Sequence, residues 1–160
     1  MKRIILIILF CFVSMSFHDV NVMPKQQDVE ICDTSFLNVN ELNDSILYLA
    51  LVHYEVKYPK AVLAQAKLES GNYTSKHCRT KNNFLGLYNS RKKEYFSFSH
   101  WTACLLKYKQ CFQSKDLNYS TDEEYIDYLL EIGYATDPLY KDKIMRIINN
   151  LEYGKGKISI

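Results

Sequence analysis

The segment from Pro59 to Gly71, which reads PKAVLAQAKLESG, places the tightest constraint on the fold of this chain. Proline is favoured at the first position of a helix, and a glycine just after the last turn ends one. The residues between them predict an amphipathic helix with a face of small and apolar side chains: Ala61, Val62, Ala64, Gln65 and Leu68. We expect this helix to pack closely against neighbouring helices.

Capping and periodicity predict another helix immediately before this one. The segment NDSILYLALVHYEVKYP has Asn43 or Asp44 as its N-cap and a stop before Pro59. Its apolar positions recur at helical spacing: Ile46, Leu49, Ala50 and Val52. The folded domain is therefore expected to begin near this segment.

Three more helices are predicted in the second half of the chain. Ser99 can cap a helix that runs through HWTACLLKYKQCFQ. Ser120 and Glu123 have the spacing of a capping box in front of the next helix. Asp137 has the position of an N-cap for the last helix, which Gly154 closes.

The remaining segments lack sustained helical periodicity. Residues 72–87 are mainly polar and predict a loop with short turns, whereas residues 91–99, RKKEYFSFS, alternate as a short strand or extended lobe does. The predicted fold is a mainly α domain over residues 41–154 with one small extended (β) lobe. Residues 17–40 are predicted to be an N-terminal arm or linker, and residues 155–160 a C-terminal tail.

The length of 160 residues supports one domain with a hydrophobic core. The formal net charge is only +2, and basic and acidic residues are interspersed. Charge therefore suggests neither nucleic acid nor an anionic membrane as the main partner. We expect a monomer.

The N-terminal stretch MKRIILIILFCFVSMS predicts a secretory signal peptide over residues 1–16. It has a basic start, an apolar run from Ile4 to Val13, and small residues at Ser14 and Ser16 near the predicted cleavage point. The alternative of an uncleaved anchor is less favoured because a bilayer span needs roughly 20 apolar residues. We expect the protein to be exported, periplasmic or secreted, with no stable membrane span after signal removal.

Four cysteines remain after the signal: Cys32, Cys78, Cys104 and Cys111. In an exported chain they allow two disulfides in three connectivities. Cys104 and Cys111 are too far apart on the predicted helix to bond each other, so each needs a partner elsewhere. The alternative for any of them is burial in the core as a free thiol.

The catalytic motifs with the clearest mechanics, such as G-x-S-x-G and H-E-x-x-H, do not occur in this sequence. No histidine and cysteine spacing supports a metal site, and we expect neither a metal nor an organic cofactor. Glu69 is the remaining candidate, in the last turn of the Pro59 helix. The carbonyl end of the helix and apolar neighbours such as Leu68 are expected to raise its pKa, as a general acid requires. The alternative is a solvated side chain at a frayed helix end.

Two segments resemble the bacterial glucosaminidase family of peptidoglycan hydrolases, which includes flagellar and autolysin glucosaminidases. Residues 61–88, AVLAQAKLESGNYTSKHCRTKNNFLGLY, are similar to the family's A-Q-A-x-x-E-S-G helix end followed by N-N-x-F-G or a close variant. Residues 133–144, GYATDPLYKDKI, are similar to its C-terminal G-Y-A-T-D-x-x-Y-x-x-K-I element. The resemblance spans roughly residues 43–148 and implies a lysozyme-like fold.

The resemblance implies a catalytic role for Glu69 as general acid and for Tyr134 as the active-site tyrosine. It also implies substrate-binding positions at Asn83, Phe84, Tyr88 and Tyr140. Their structural alternatives are an ordinary turn amide for the asparagine and core packing for Phe84 and Tyr140.

A second carboxylate is less clear in the sequence. Many relatives carry one in the extended lobe, where this chain has only Glu94, flanked by Lys92 and Lys93. Without it, the substrate's own N-acetyl group could act as the nucleophile, oriented by Tyr134, with Asp137 a more remote candidate.

The resulting prediction is an endo-β-N-acetylglucosaminidase that hydrolyses peptidoglycan glycan strands. Two alternatives stay open: a lytic transglycosylase on the same fold, and a catalytically inactive glycan-binding or scaffold protein.

Overall fold

Six α-helices and a short antiparallel hairpin form the part of the chain that the structure, a computed structural model, describes: residues 34–39, 41–113 and 115–151. A 3₁₀ helix at Ser35–Asn38 precedes them. In chain order they are α1 (Asp44–His53), α2 (Pro59–Ser70), α3 (Lys76–Lys81), β1 (Tyr88–Asn89), β2 (Glu94–Tyr95), α4 (Trp101–Phe112), α5 (Asp122–Glu131) and α6 (Tyr140–Asn150). The predicted fold class is confirmed: a mainly helical, lysozyme-like domain with a small extended lobe.

Helix α2 lies at the centre of this domain. Its bounds agree with the prediction, with Pro59 in the first turn and Gly71 closing the helix in the left-handed region at φ +57°. Every residue from Ala61 to Ala66 is fully buried, and six successive residues cover all sides of a helix. The amphipathic interpretation is therefore wrong: α2 packs against α1, α5 and α6 at once.

Helix α1 is shorter than predicted. The Asn43 side chain accepts a hydrogen bond from the Ile46 amide at 3.0 Å, which confirms the N-cap. The helix ends at His53, however, and both Glu55 and Tyr58 then adopt left-handed backbone conformations. The Val56 amide donates to the Leu51 carbonyl at 2.8 Å around the left-handed Glu55, and this turn ends the helix before Pro59 is reached.

The caps of α4 and α5 are each shifted by one residue. His100, and not Ser99, caps α4. Thr121 caps α5 through a hydrogen bond from the Glu124 amide at 3.1 Å, and the Glu124 carboxylate accepts one from the Ser120 amide at 2.8 Å. The chain offers the same hydroxyl and acid spacing twice in succession, so local pattern alone did not distinguish the two registers.

Helix α6 differs from the prediction at both ends. It begins at Tyr140, with Leu139 as the cap residue. Asp137 instead forms the turn before it, accepting hydrogen bonds from Leu139 through its side chain and from Tyr140 through its carbonyl. The helix ends at Asn150, and Gly154 lies outside the described residues.

The predicted loop over residues 72–87 contains an additional helix, α3, and ends just before the hairpin. Ser75 caps α3 by accepting a hydrogen bond from the Cys78 amide at 3.2 Å, and Asn82 ends it at φ +49°. This helix is too short and too polar to show a period. In the hairpin, Tyr88 pairs with Tyr95, so only one strand comes from the segment predicted to be extended.

Cys78, Cys104 and Cys111 are free thiols, so none of the described cysteines forms a predicted disulfide. The buried thiol of Cys104 fits the alternative of a core residue. Cys32, the signal peptide and most of the arm lie outside the described residues. No helix in the described part of the chain combines the length and the apolar character needed to cross a membrane.

Candidate active site

A cleft of about 360 Å³ lies where the end of α2 meets the segment before β1, helix α4 and the connection from α5 to α6. Its volume falls in the range of small-ligand sites. The residues that line it include Glu69, Gly86, Tyr88, Phe96, Lys107 and Tyr134. A larger depression of about 590 Å³ lies elsewhere and does not include Glu69. The cleft is therefore identified as the candidate site by its side-chain chemistry and not by its size.

Hydrogen bonds at the end of α2 fix the position of Glu69 at this cleft. Ser70 is fully buried, and its hydroxyl donates to the Ala66 carbonyl at 2.6 Å. The same hydroxyl accepts a hydrogen bond from the Tyr73 amide at 2.7 Å. Together with the left-handed Gly71, this fixes the last turn from which the Glu69 side chain projects.

Gly86 leaves room for the Glu69 carboxyl group. A Cβ atom at Gly86 would lie 3.2 Å from Glu69 Oε2, and the glycine has φ +63°. The side chain of Glu69 reaches solvent through the cleft, yet the surrounding protein removes enough water to raise its pKa. A hydrogen bond with Tyr140 opposes this increase. The direction agrees with the sequence prediction, although burial is the leading cause.

Two tyrosines surround Glu69 in different ways. Tyr134 lines the cleft, and its hydroxyl donates to the Leu85 carbonyl at 3.1 Å. Tyr140 is buried beneath Glu69 and accepts a hydrogen bond from Gln65 Nε2 at 3.1 Å. Burial raises the pKa of both phenols, so they stay protonated around neutral pH.

Asn83 and Phe84 do not line the cleft. The Asn83 amide group donates to the carbonyls of Leu87 and Phe96 and accepts from the Leu87 amide, at 2.8–3.0 Å. Phe84 is fully buried in the core. The predicted substrate contacts are therefore wrong for both residues: Asn83 holds the backbone near Gly86, and Phe84 packs in the core.

Tyr88 and Glu94 lie on the hairpin but face different depressions. Tyr88 is half exposed and lines the cleft, with its ring packed edge-on against Tyr95 at 5.2 Å. Glu94 lines a separate depression together with Lys81 and Lys92. The structure thus brings Tyr88 to Glu69 and does not bring Glu94, and Glu69 is the only acidic residue among the described residues of the cleft.

Lys107 gives the cleft a positive charge that the sequence patterns did not indicate. It lies on α4, its ammonium group is 5.7 Å from the centre of the Phe96 ring, and it donates to Gln110 at 3.1 Å. Within the described residues, it forms no ion pair. No local signal distinguished it from other surface lysines, because its place in the cleft depends on the packing of α4.

The family comparison agrees with this arrangement. Residues 47–153 match the model of the glucosaminidase family, described as mannosyl-glycoprotein endo-beta-N-acetylglucosaminidase. The chain belongs to the glucosaminidase family. It is a glycoside hydrolase of the endo-β-N-acetylglucosaminidase type. Comparisons with curated proteins and with solved structures gave no significant match.

In this glucosaminidase the carboxyl group of Glu69, the phenols of Tyr88 and Tyr134 and the ammonium group of Lys107 line one cleft. Tyr140, which was predicted to bind substrate, is instead buried and does not line the cleft. Among its described residues, no group of three His, Cys, Asp or Glu side chains is arranged to hold a metal ion. The chemistry available from these side chains is proton transfer by Glu69 and hydrogen bonding by the tyrosines.

Proposed function

We propose that this glucosaminidase hydrolyses the glycan strands of peptidoglycan, with Glu69 as the general acid. The observation that carries the proposal is the position of Glu69 as the only described carboxyl group of the cleft, with its pKa raised by burial. A raised pKa keeps more of the group protonated near neutral pH, where it can donate to the leaving glycosidic oxygen. As the bond breaks, the Tyr140 hydroxyl stabilises the carboxylate that forms.

For the nucleophile, we propose the acetamido group of the substrate. Its carbonyl oxygen bonds to the anomeric carbon while the glycosidic C–O bond breaks and Glu69 gives its proton to the leaving oxygen. Water then attacks the anomeric carbon and loses a proton to Glu69 while the bond from the acetamido oxygen to that carbon breaks. This step restores the acid and the N-acetyl group, and the two displacements together retain the anomeric configuration. The separate location of Glu94 supports this route. We propose that the Tyr134 oxygen, whose hydrogen goes to the Leu85 carbonyl, accepts a hydrogen bond from the acetamido N–H.

Lys107 supports an anionic glycan as the substrate. Peptidoglycan carries free carboxyl groups on its stem peptides, and on the lactyl ethers of muramyl residues that lack a peptide, whereas polymers of N-acetylglucosamine alone are neutral. An ammonium group in the cleft with no acidic partner among the described residues favours the former. The exposed ring of Tyr88 offers an apolar face for a sugar ring on the same surface.

A lytic transglycosylase is the second candidate, because that reaction also needs one acidic side chain and no protein nucleophile. The products separate the two reactions. Digestion of purified cell walls followed by mass spectrometry is expected to give reducing-end N-acetylglucosamine, whereas anhydro-muramyl ends indicate the transglycosylase. Binding of walls without any cleavage indicates a glycan-binding protein.

The proposed substrate lies outside the cytoplasmic membrane, so the proposal includes export through the predicted signal at residues 1–16. We propose that the exported protein acts as a monomer. Cell fractionation and N-terminal sequencing of the mature protein test the export, with a new N-terminus after Ser16 as the expected result. Full-length protein retained in the cytoplasm contradicts it.

A further inference from the structure

A chain of hydrogen-bonded side chains crosses the core and ends at Glu69. We call it the amide–phenol chain, and its members in order are Gln113, Tyr125, Tyr108, Gln65 and Tyr140. The four successive contacts measure 3.2, 2.7, 2.6 and 3.1 Å. Tyr140 then forms the hydrogen bond with Glu69. The chain joins α4, α5, α2 and α6, so it exists only in the folded domain.

The direction of the chain is set at its far end by the backbone. The Lys57 amide donates to Gln113 Oε1 at 2.8 Å, and the Lys57 carbonyl accepts from Gln113 Nε2 at 2.7 Å. A backbone N–H can only donate, so the side-chain amide of Gln113 has one allowed orientation. Its Nε2 group therefore faces Tyr125 as a donor.

Beyond Gln113, the donor direction of each hydroxyl group in the amide–phenol chain follows from the acceptors beside it. Tyr125 accepts from Gln113, and the acceptor within reach of its own hydrogen, among the described residues, is the Tyr108 oxygen, so Tyr125 donates to Tyr108. Tyr108 has a single hydrogen, which it gives to Gln65 Oε1, and their 2.6 Å separation suits an O–H···O bond. Gln65 is thereby oriented with its Nε2 group toward Tyr140.

The hydroxyl hydrogen of Tyr140 is the one directed to Glu69. Tyr140 accepts from Gln65, so its own hydrogen points away from that amide and toward the Glu69 carboxyl group. Tyr134 gives its hydrogen to the Leu85 carbonyl and does not take the place of Gln65. The donors along the chain thus all point toward Glu69.

We propose that the amide–phenol chain positions the general acid by committing the Tyr140 hydrogen to the Glu69 carboxylate, with the Lys57 backbone amide fixing its direction. This inference rests on the proposed role of Glu69. The members of the chain other than Tyr140 act as positioning residues, because they reach the reaction only through Tyr140. The chain favours the ionised carboxylate, which counteracts the burial that favours the acid, so Glu69 can give up its proton and take one back.

Burial makes the chain sensitive to changes far from the cleft. Gln65, Tyr108 and Tyr125 are fully buried, so water cannot replace a missing partner. In Tyr108→Phe, Gln65 Oε1 loses its donor, and the amide is free to turn its oxygen toward Tyr140. Tyr140 then donates to Gln65, and Glu69 loses its hydrogen bond.

Gln113→Glu tests the same idea with almost no change in size. A carboxylate at position 113 still accepts from the Lys57 amide, but it has no hydrogen to give to Tyr125 or to the Lys57 carbonyl, so the variant is also expected to be less stable. Tyr125 then donates to the carboxylate, and the direction of every later hydrogen bond reverses. The substitution lies five hydrogen bonds from Glu69.

The experiment measures the titration of Glu69 by carbon-13 NMR of the glutamate carboxyl groups, with its signal assigned through Glu69→Gln. Tyr108→Phe and Gln113→Glu are expected to shift the titration midpoint upward. The control is Tyr128→Phe, whose ring stacks on Tyr125 while its hydroxyl lies outside the chain, and it is expected to leave the midpoint unchanged.

Wall hydrolysis gives a second readout. The two chain variants are expected to lose roughly tenfold in kcat with little change in KM, the loss expected for one hydrogen bond to a charged group. An unchanged Glu69 midpoint in folded Tyr108→Phe and Gln113→Glu overturns the inference. If Tyr108→Phe does not fold, Gln113→Glu decides alone. The NMR result needs no activity, so failure of the proposed function and failure of the chain are distinguishable.

Discussion

Gly86 provides a direct test of how closely Glu69 is held. In Gly86→Ala the new Cβ lies 3.2 Å from Glu69 Oε2, closer than ordinary van der Waals contact, so the carboxyl group must retreat by a few tenths of an ångström. The alanine must also adopt φ +63°, where an L-residue is strained by about 1–2 kcal/mol. The variant is therefore expected to lose both stability and activity.

These two effects have separate magnitudes. The backbone strain corresponds to a decrease in Tm of roughly 4–8 °C for a domain of this size. A misplacement of about 1 Å at a catalytic group can reduce the rate about 100-fold, so a few tenths of an ångström is expected to reduce kcat/KM roughly tenfold. Thermal unfolding and dye release from labelled walls measure the two quantities.

Gly133→Ala is the matched control. Gly133 has φ +76°, and an added Cβ meets no atom within 4 Å. It should therefore show a similar decrease in Tm without displacing the carboxyl group. Gly133 also lines the cleft, so the two variants are compared by the titration midpoint of Glu69 as well as by activity. Equal shifts of that midpoint would refute the argument that Gly86 makes room for Glu69.

Three further predictions concern charge, packing and pH. Lys107→Gln is expected to reduce kcat/KM on walls by roughly two- to fivefold, the effect of losing a partly exposed ion pair. Hydrolysis of neutral N-acetylglucosamine oligomers should stay unchanged, and equal losses on both substrates contradict the role assigned to Lys107. Asn83→Ala removes three hydrogen bonds made by a buried side chain and is expected to cost about 3 kcal/mol in urea unfolding. A cost below about 1 kcal/mol excludes its structural role. The pKa of Glu69 is raised in the folded state, so the free energy of unfolding should fall as the pH rises from the unfolded-state pKa to the folded-state pKa. Glu69→Gln should remove that decrease when unfolding is measured across pH. The same pH dependence in the wild type and the variant contradicts the raised pKa.

Local signals predicted the parts of the fold that depend on neighbouring residues. Pro59 and Gly71 act through their own backbone geometry, so both ends of α2 agree with the prediction. The caps of α4 and α5 were wrong by one residue because neighbouring side chains offer equivalent capping groups. Helix α3 was missed because Lys76–Lys81 is one polar turn and a half, whose stability depends on the surrounding fold.

The candidate site was also predicted only where local signals were sufficient. The family motif identified Glu69, but it also assigned Asn83 to the substrate, where the structure uses that amide to hold the backbone beneath the cleft. The distance of 43 residues between Gln65 and Tyr108 explains why their hydrogen bond had no local signal. Lys107 reaches the cleft for a similar reason, because only the packing of α4 places it there.

The most direct test of the central claim is the product spectrum of purified cell walls treated with the wild-type protein and with Glu69→Gln. The substitution keeps the size of the side chain and removes its ability to donate and recover a proton. The account predicts reducing-end N-acetylglucosamine from the wild type and at least a 100-fold slower release from the variant, in line with the typical contribution of general acid catalysis. Equal release by the two proteins would contradict the role of Glu69 as the general acid.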